Sequence, residues 1–308
     1  MNTTKGIFYS ILAVSLIGSM NACAKLLAPY ISPMEITFWR GVTAALFLTI
    51  GLVLLGKSQF IKTRNPKAQF IRAFVGTTTM TLNMWAITLL PLSTVSSIRL
   101  TSPLIVLLLS WPLLGEKVGP RRMAAAMVGF LGAAIIINPL ALWGEPIPTK
   151  GLIVTLVFTV GTAFVDLTLR WIGNKQKEPG LTTAFYFLVL SALFTLPFAV
   201  FMPSMPAAEI ILSPETSWFL LGLGAMGALG MVFKSESFKL APVSVISPIS
   251  YSILIWSVFY DWMIWKHLPS LNVYIGAAVI IAANIFVVWR EKQLHKQVHS
   301  ASESPSVA

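Results

Sequence analysis

Apolar residues occur in ten long stretches along the chain, and short polar segments separate these stretches. They are Gly6–Leu27, Pro33–Leu55, Ala68–Leu90, Ser93–Leu114, Met123–Ile137, Gly151–Ile172, Leu181–Met202, Trp218–Phe233, Val243–Trp265 and Leu271–Trp289. A helix needs about 20 apolar residues to cross the hydrocarbon core of a bilayer, and most of the stretches approach that length. The pattern predicts an all-α, polytopic membrane protein with ten transmembrane helices, and it leaves too few residues for a soluble domain.

The second half of this pattern repeats the first. Leu89–Ser93, followed by Ser102-Pro103, has a counterpart in Lys239–Ser244, followed by Ser247-Pro248. Each half contains five spans, an odd number, so the two halves have opposite orientations in the membrane. Such inverted repeats are typical of secondary transporters. We predict two five-helix repeats, at 1–139 and 150–290, and a disordered cytoplasmic tail at 291–308.

Composition supports a membrane protein, and the charges predict its orientation. Only 11% of the residues are charged, against roughly a quarter in soluble proteins. With the N-terminus placed inside, 17 of the 22 Lys and Arg residues fall on that side, Lys25, Lys150 and Lys266 fall outside, and Arg40 and Arg99 lie within spans. This asymmetry predicts a multi-pass protein of the cell inner membrane with both termini in the cytoplasm. The net charge of +11 is scattered among apolar stretches, so we expect no nucleic-acid partner.

The chain carries no arrangement of residues that predicts catalysis. Cys23 is the single cysteine, and His267, His295 and His299 fall on different sides of the predicted membrane. Gly222–Gly227 has the spacing G-x-G-x-x-G, but it lies inside an apolar span with no preceding strand, so we interpret it as a helix-packing surface. We therefore expect no cofactor, no metal site and no enzymatic activity.

Charged residues within the spans are candidates for function, because a charge in the hydrocarbon core is costly unless it is paired or hydrated. Arg99 lies about two turns into the fourth span, where it could hold a substrate carboxylate or form a buried pair with Glu35. Arg40 is a further cation of the second span. Asp166 and Arg170 have the i, i+4 spacing of a helical ion pair, and Asp166 and Glu35 are also candidates for proton coupling.

Polar and aromatic residues at mid-span depth form a second group of candidates. They are Asn83 and Trp85 in the third span and Ser250, Tyr251 and Trp256 in the ninth. Together they could line a substrate pocket with stacking faces and hydrogen-bonding groups. Taken singly, each is equally well explained by contacts between helices.

A series of motifs resembles the drug/metabolite transporter superfamily, specifically its EamA-type ten-helix branch. The motifs are Phe38–Gly41, Leu114–Lys117, Arg121-Arg122, Val128–Gly132, Asn138-Pro139, Leu240–Ser244, Ser247-Pro248 and Ile275–Ala278. The resemblance covers nearly the whole chain and implies two inverted halves around a central cavity. It implies that Arg99, Thr101, Ser250, Tyr251 and Trp256 lie near the substrate. One departure is Lys266-His267 before the last span, where the family usually has Gly-Glu.

Within that branch, the chain looks most like S-adenosylmethionine uptake carriers, through Val165-Asp166, Phe185-Tyr186 and Pro248–Tyr251. Related members carry riboflavin, amino acids, purines or opine-type metallophores. The resemblance implies a secondary transporter that moves a small amphiphilic metabolite by alternating access. Export of amino acids or metallophores is the alternative within the family, and a membrane-embedded enzyme or a scaffold subunit is the alternative outside it. The sequence leaves open whether the protein forms a homodimer.

Overall fold

Eleven helices are present in the described residues of the computed structural model, which covers residues 3–114, 119–138, 147–175, 179–204, 209, 213–240, 245–246 and 249–303. They are α1 (Thr3–Leu27), α2 (Pro33–Leu54), α3 (Pro66–Leu89), α4 (Leu92–Arg99), α5 (Ser102–Leu114), α6 (Pro120–Ile137), α7 (Thr149–Lys175), α8 (Gly180–Phe201), α9 (Pro214–Leu240), α10 (Ile253–Trp265) and α11 (Leu271–Glu303). Helices α4 and α5 form the two parts of the fourth predicted span. Short 3-10 turns occur at Ser58–Ile61 and Ser250–Ser252.

Proline and polar capping residues determine where several helices begin. The Ser32 side chain accepts a hydrogen bond from the Glu35 backbone, and the Glu35 carboxylate accepts one from the Ser32 backbone, which makes a capping box. Asn65 accepts a hydrogen bond from the Ala68 backbone at 3.1 Å and so caps α3. Both helices have proline at their first position, where its missing N–H costs nothing.

The outer surface of the helical bundle matches a lipid environment. Eight of the described helical stretches are long and apolar enough to cross a bilayer. They do not include α3, which contains Gln69, Arg72 and Asn83, or α10, which has 13 residues and follows a 3-10 turn. Phe201 is 80% exposed and Trp218 is 74% exposed, as expected for side chains that face lipid rather than water. The prediction of an all-α, polytopic membrane protein is confirmed.

Helix packing follows the predicted repeat. Each helix of the first half has a counterpart in the second half. When two helices contact each other, their counterparts contact each other as well. Thus α1 packs on α9 as α7 packs on α3, and α2 packs on α9 as α8 packs on α3. The pairs α2–α8 and α6–α11 each join a helix to its own counterpart. Helices that contact their own counterparts lie next to the pseudo-two-fold axis that relates the halves.

Two glycines allow the closest of these approaches, between α6 and α11. A Cβ atom added at Gly132 would lie 2.8 Å from the Gly276 carbonyl oxygen, and one added at Gly276 would overlap the Gly132 carbonyl oxygen. The motifs Gly132-Ala133-Ala134 and Gly276-Ala277-Ala278 are equivalent in the two repeats, so this contact lies at the axis. Gly224, Gly227 and Gly230 similarly face α1 and α2, which supports the interpretation of this stripe as a packing surface.

The last helix is longer than its apolar stretch. Helix α11 has 33 residues and a length of about 50 Å, so its C-terminal part extends beyond a hydrocarbon core of about 30 Å. The tail predicted from residue 291 is therefore helical as far as Glu303. Parts of several predicted features lie outside the described residues: 115–117 and 139 of the family motifs, 241–244 and 247–248 of the second repeat, and 304–308 of the tail.

We predict that Gly132→Ala lowers the melting temperature of the purified protein, because the new methyl group must push α6 away from α11. Overpacking of this kind costs about 1–3 kcal/mol. Gly51→Ala is the matched control, since a Cβ at Gly51 meets no atom within 4 Å. Thermal unfolding in detergent would measure both variants, and an equal melting temperature for the two would contradict the close contact.

Candidate functional site

A break in the fourth span positions Arg99. Helix α4 ends at Arg99, and α5 begins at Ser102-Pro103, where proline cannot donate a backbone hydrogen bond. The Leu100 carbonyl oxygen, freed at the break, accepts a hydrogen bond of 2.9 Å from Asn284 on α11. Arg99 thus lies at the C-terminus of α4, where the helix dipole stabilises a positive charge.

Arg99 faces a small cavity between α1, α4, α9 and the 3-10 turn at Ser250–Ser252. Polar groups of Ser10, Arg99, Lys234 and Ser250 line it, together with apolar side chains. Its volume is about 40 Å³, which is room for a few water molecules rather than for a metabolite. Lys234 lies within an apolar helix yet keeps an exposed side chain, because it borders this cavity.

Asp166 on α7 is the acidic residue at the centre of the charged groups. Its carboxylate lies close enough to Arg72, Arg99 and Lys234 for its charge to stabilise each of theirs. None of these three cations lies within 4 Å of a carboxylate among the described residues. We call Arg72, Arg99, Asp166 and Lys234 the central charge cluster. Three positive charges share one negative charge there.

The repeat relates two members of this cluster, Asp166 and Lys234 of the second half, to a neutral pair in the first half. Counting from Thr4-Lys5-Gly6 and Thr149-Lys150-Gly151 aligns Asn21 with Asp166. Counting back from Pro91-Leu92-Ser93 and Pro242-Val243-Ser244 aligns Asn83 with Lys234. The Asn83 amide donates a hydrogen bond to Asn21 at 3.3 Å, so an amide pair occupies the place that an acid and a base occupy in the second half. The charged arrangement is therefore specific to one half.

Arg72 of the central charge cluster also lies close to a further cation, Arg40 of α2, on the side of the cluster that faces the pseudo-two-fold axis. The guanidinium carbons of Arg40 and Arg72 lie 5.6 and 4.7 Å from the centroid of the Phe187 ring. Both side chains are buried, at 4% and 5% exposure. The Arg40 Nε atom contacts the Met20 sulfur at 3.3 Å, which is a weak acceptor. No described carboxylate lies within 4 Å of either guanidinium.

The opposite end of the bundle is closed by a buried network around Asp261 on α10. Its carboxylate accepts hydrogen bonds from the Leu92 and Ser93 backbones, at 3.1 and 2.8 Å, and from the Ser93 hydroxyl at 2.6 Å. Asp261 thereby caps the N-terminus of α4 from another helix. Lys25 lies 3.8 Å from Asp261 and donates to the Leu90 carbonyl at 3.0 Å. The network joins α1, the α3–α4 turn and α10.

Glu35 belongs to this same end of the bundle. It accepts hydrogen bonds from the Ser204 backbone, at 2.9 Å, and from the hydroxyls of Ser32 and Ser204. These contacts join α2 to the residues after α8. Of the two alternatives for Arg99, the pair with Glu35 is not formed in this conformation, since Glu35 is held by Ser32 and Ser204, and Asp166 supplies the negative charge near Arg99.

The other predicted site residues take different places. Ser250 lines the cavity, and Tyr251 is buried in the adjoining apolar cluster with Ile98 and Leu100. Thr101 is buried and donates to the Ile98 carbonyl. Their roles in substrate binding stay predictions.

Trp256, Asn83 and Trp85 lie away from the cavity lining. Trp256 packs on Gly18 and stacks on Tyr260, whose hydroxyl lies 2.6 Å from that of Ser19. The Asn83 side chain donates its hydrogen bond to Asn21, as described above. Trp85 is 39% exposed, and the Lys150 ammonium group lies over its ring. In this conformation these residues make contacts between or along helices.

Three residues of the site were not among the sequence candidates. Arg72 and Lys234 were assigned to the cytoplasmic loops, although both lie within helices, and Phe187 was not singled out. The available sequence signal is that Arg72 lies within the Ala68–Leu90 stretch and that Lys234 directly follows the Trp218–Phe233 stretch. The predicted partner of Asp166, the Arg170 side chain, lies outside the part of the structure that can be described.

Comparison with known proteins identifies the chain's relatives. Residues 4–138 and 143–289 each match the EamA-like transporter family. The chain is 27% identical to a riboflavin transporter of Brucella anthropi over 82% of this chain and 87% of that protein. It is 24% identical to an S-adenosylmethionine uptake transporter of Rickettsia prowazekii over 96% of both. A crystal structure at 17% identity has a TM-score of 0.63 and shares the fold over 93% of this chain and 96% of that one.

We predict that Asp261→Asn lowers the free energy of unfolding by about 2–4 kcal/mol, because it removes the charge that caps α4 and leaves the partly buried ammonium group of Lys25 without a counter-charge. Lys25→Met combined with Asp261→Asn should recover part of that loss. Glu209→Gln is the control, since Glu209 is exposed. Denaturation of the three variants in detergent would test this, and a loss no larger than that of Glu209→Gln would contradict the network.

Proposed function

The chain belongs to the EamA-like transporter family, whose members move small molecules across membranes, and we propose that it is a secondary transporter of the cell inner membrane with its solute site at the central charge cluster. The observation that carries this proposal is the cavity bordered by Arg99 and Lys234, with Asp166 as their shared counter-charge. A charge this deep in a membrane protein marks a solute pathway unless it is fully paired. Arg99 and Lys234 are not fully paired.

The excess of positive charge favours a solute with a carboxylate. Arg99 can hold a carboxylate by two parallel hydrogen bonds, and Lys234 adds a second point of attraction. Relatives are named for S-adenosylmethionine and riboflavin. S-adenosylmethionine has the carboxylate and ammonium groups of an amino acid and, in addition, a sulfonium group that this cluster would repel, whereas riboflavin is uncharged. We therefore favour an amino acid or another organic acid over an S-adenosylmethionine-like solute.

Alternating access explains why the cavity is small in this conformation. The Asp261 network and the Glu35 contacts seal one end of the bundle, while Ser10 and Lys234 border the cavity towards the other. Rocking of the two halves would break the network at the first end and close the second, with the break between α4 and α5 beside the solute. Export of amino acids uses the same cycle in the opposite direction.

Asp166 is suited to couple solute binding to this cycle. An anionic solute that binds Arg99 and Lys234 takes over the role of the Asp166 carboxylate. We infer that Asp166, once the solute has replaced it as counter-charge, is the residue that couples solute movement to the cycle. Glu35, the other predicted coupling residue, is held by serines at the sealed end.

We predict that Arg99→Ala weakens solute binding roughly 10- to 100-fold, since it removes a charge-assisted contact of about 1.5–3 kcal/mol, and that Arg99→Lys has a smaller effect. The measurement is counterflow in proteoliposomes with labelled S-adenosylmethionine, riboflavin, alanine and glutamate. Lys150→Gln removes a remote positive charge and is the control. Exchange of riboflavin alone, which has no carboxylate, would contradict the carboxylate assignment. Exchange of S-adenosylmethionine alone would contradict the preference for a solute without a sulfonium group, and exchange of no solute in any condition would argue against this function.

We predict that a cysteine at Lys67 reacts only with membrane-permeant reagents in intact cells, whereas a cysteine at Pro203 reacts with impermeant ones. Both positions are exposed and lie at opposite ends of the bundle. The Cys23→Ala background removes the native thiol. The reverse labelling pattern would invert the proposed orientation, in which both termini are cytoplasmic.

A further inference from the structure

Arg40 and Arg72 lie outside the cavity lining. Arg72 belongs to the central charge cluster, but the function proposed above gives neither guanidinium group a contact with the solute. Both guanidinium groups contact one aromatic ring, that of Phe187, so their carbons are no more than about 10 Å apart, the combined length of the two ring distances. Two positive charges at this separation repel each other in a medium of low dielectric constant. Arg72 shares Asp166 with Arg99 and Lys234, and Arg40 has no carboxylate beside it among the described residues.

The polar atoms at this place are donors that lack acceptors. Arg40 Nη1 and Arg72 Nε and Nη1 are buried and make no hydrogen bond. Ser191 lies one turn after Phe187 on the same face of α8, and its buried hydroxyl also has no partner. Orphan buried donors are rare in proteins, and those on charged groups are the most costly. A group that supplies several acceptor atoms and a negative charge would satisfy all of them.

The contact between Arg40 and Phe187 also lies on the pseudo-two-fold axis. The two repeats can be aligned here at one constant offset. It matches Phe38-Trp39-Arg40 with Phe185-Tyr186-Phe187, and Ala45-Leu46-Phe47 with Ala192-Leu193-Phe194. Arg40 and Phe187 are thus equivalent residues of the two halves that contact each other. An axis that relates inverted repeats lies in the plane of the membrane, so this contact is near the bilayer midplane.

The surrounding helices leave room for the two guanidinium groups. A Cβ atom at Gly76 would overlap Arg72 Nη1, and one at Gly227 would lie 3.6 Å from Arg40 Nε. Counting back from Ser93 and Ser244 shows that Gly76 and Gly227 are themselves equivalent positions. Each half therefore contributes a glycine at the position beside one arginine.

We infer that Arg40, Arg72 and Phe187 form an oxyanion-binding subsite at the centre of the bundle, which takes a carboxylate or phosphate group of the transported solute. The guanidinium groups supply paired donors from two helices, and Phe187 fixes their orientation by cation–π contact. This inference rests on the proposed transport function for the source of the anion. With Arg99 and Lys234 as the first site, the subsite assigns a second acidic group to the solute.

Thermal unfolding of the full-length protein in a neutral detergent tests the subsite without transport. The probes are succinate, inorganic phosphate and the neutral succinamide, with sodium chloride at matched ionic strength. We expect succinate or phosphate, and not succinamide or chloride, to raise the melting temperature, because a ligand that binds only the folded state stabilises it.

Arg40→Gln and Arg72→Gln should each abolish this rise and should themselves raise the melting temperature of the anion-free protein by a few degrees, since each removes a buried guanidinium group that has no carboxylate within 4 Å among the described residues. Gly76→Ala keeps both charges but displaces the Arg72 guanidinium, so it should weaken the rise. Lys150→Gln, which removes an exposed charge, should change neither property.

The outcomes separate the alternatives. Lower stability of both anion-free Gln variants would show that the arginines have a structural partner, and this would overturn the subsite. An anion-dependent rise that persists in both variants would place the anion at Arg99 and Lys234 and would equally overturn it. A rise that both variants lose, without solute counterflow in wild-type proteoliposomes, would uphold the subsite while contradicting the transport function.

Discussion

The constraint on which this structure depends is the placement of several cations inside a bundle of low dielectric constant. A buried charge must be paired, hydrated or neutralised. At the sealed end, Lys25 and Asp261 satisfy each other and the N-terminus of α4. At the centre this balance fails, because Arg72, Arg99 and Lys234 share the one carboxylate of Asp166. The balanced end fits a structural role, and the unbalanced centre supports the proposal that its charges bind the solute.

A comparison of equivalent positions in the two repeats shows which polar residues differ between the halves. Both halves use the same helix contacts and the same glycine approaches, and both place a polar pair between their first and third spans. In the first half the pair is Asn21 with Asn83, and in the second it is Asp166 with Lys234. An amide pair satisfies its own hydrogen-bonding groups, whereas Lys234 lies next to the further charge of Arg99. In the proposed mechanism, the symmetric scaffold would provide two conformations of similar packing, and the asymmetric residues would provide one solute site.

The sequence predicts the scaffold well and the pairing of charges poorly, for physical reasons. Apolar stretches, the Gly132 and Gly276 motifs and the opposed halves follow from length and periodicity, which are local properties. Arg72 and Lys234 lie near the ends of their apolar stretches, where long side chains can turn either to the interface or into the bundle. Only the packing of α3 against α7 and of α1 against α9 decides between these directions. The two alternatives for Arg99 stayed open for the same reason, because sequence depth does not reveal which helices face each other.

The charge imbalance also gives a reason for solute movement to be coupled to the conformational change. While the cavity is open to water, Arg99 and Lys234 are partly hydrated, and their repulsion is screened. Closing the cavity around them without a solute would remove that water and leave unpaired cations in a dry interior, at a cost of several kcal/mol for each ion. An anion bound at the cluster removes most of this cost, so the occluded state is favoured when solute is present. A solute shifts the equilibrium between the open and occluded conformations only if it binds one of them more tightly. In the proposed mechanism, the tighter binding to the occluded conformation comes from the electrostatic cost of closing the positively charged cavity when it is empty.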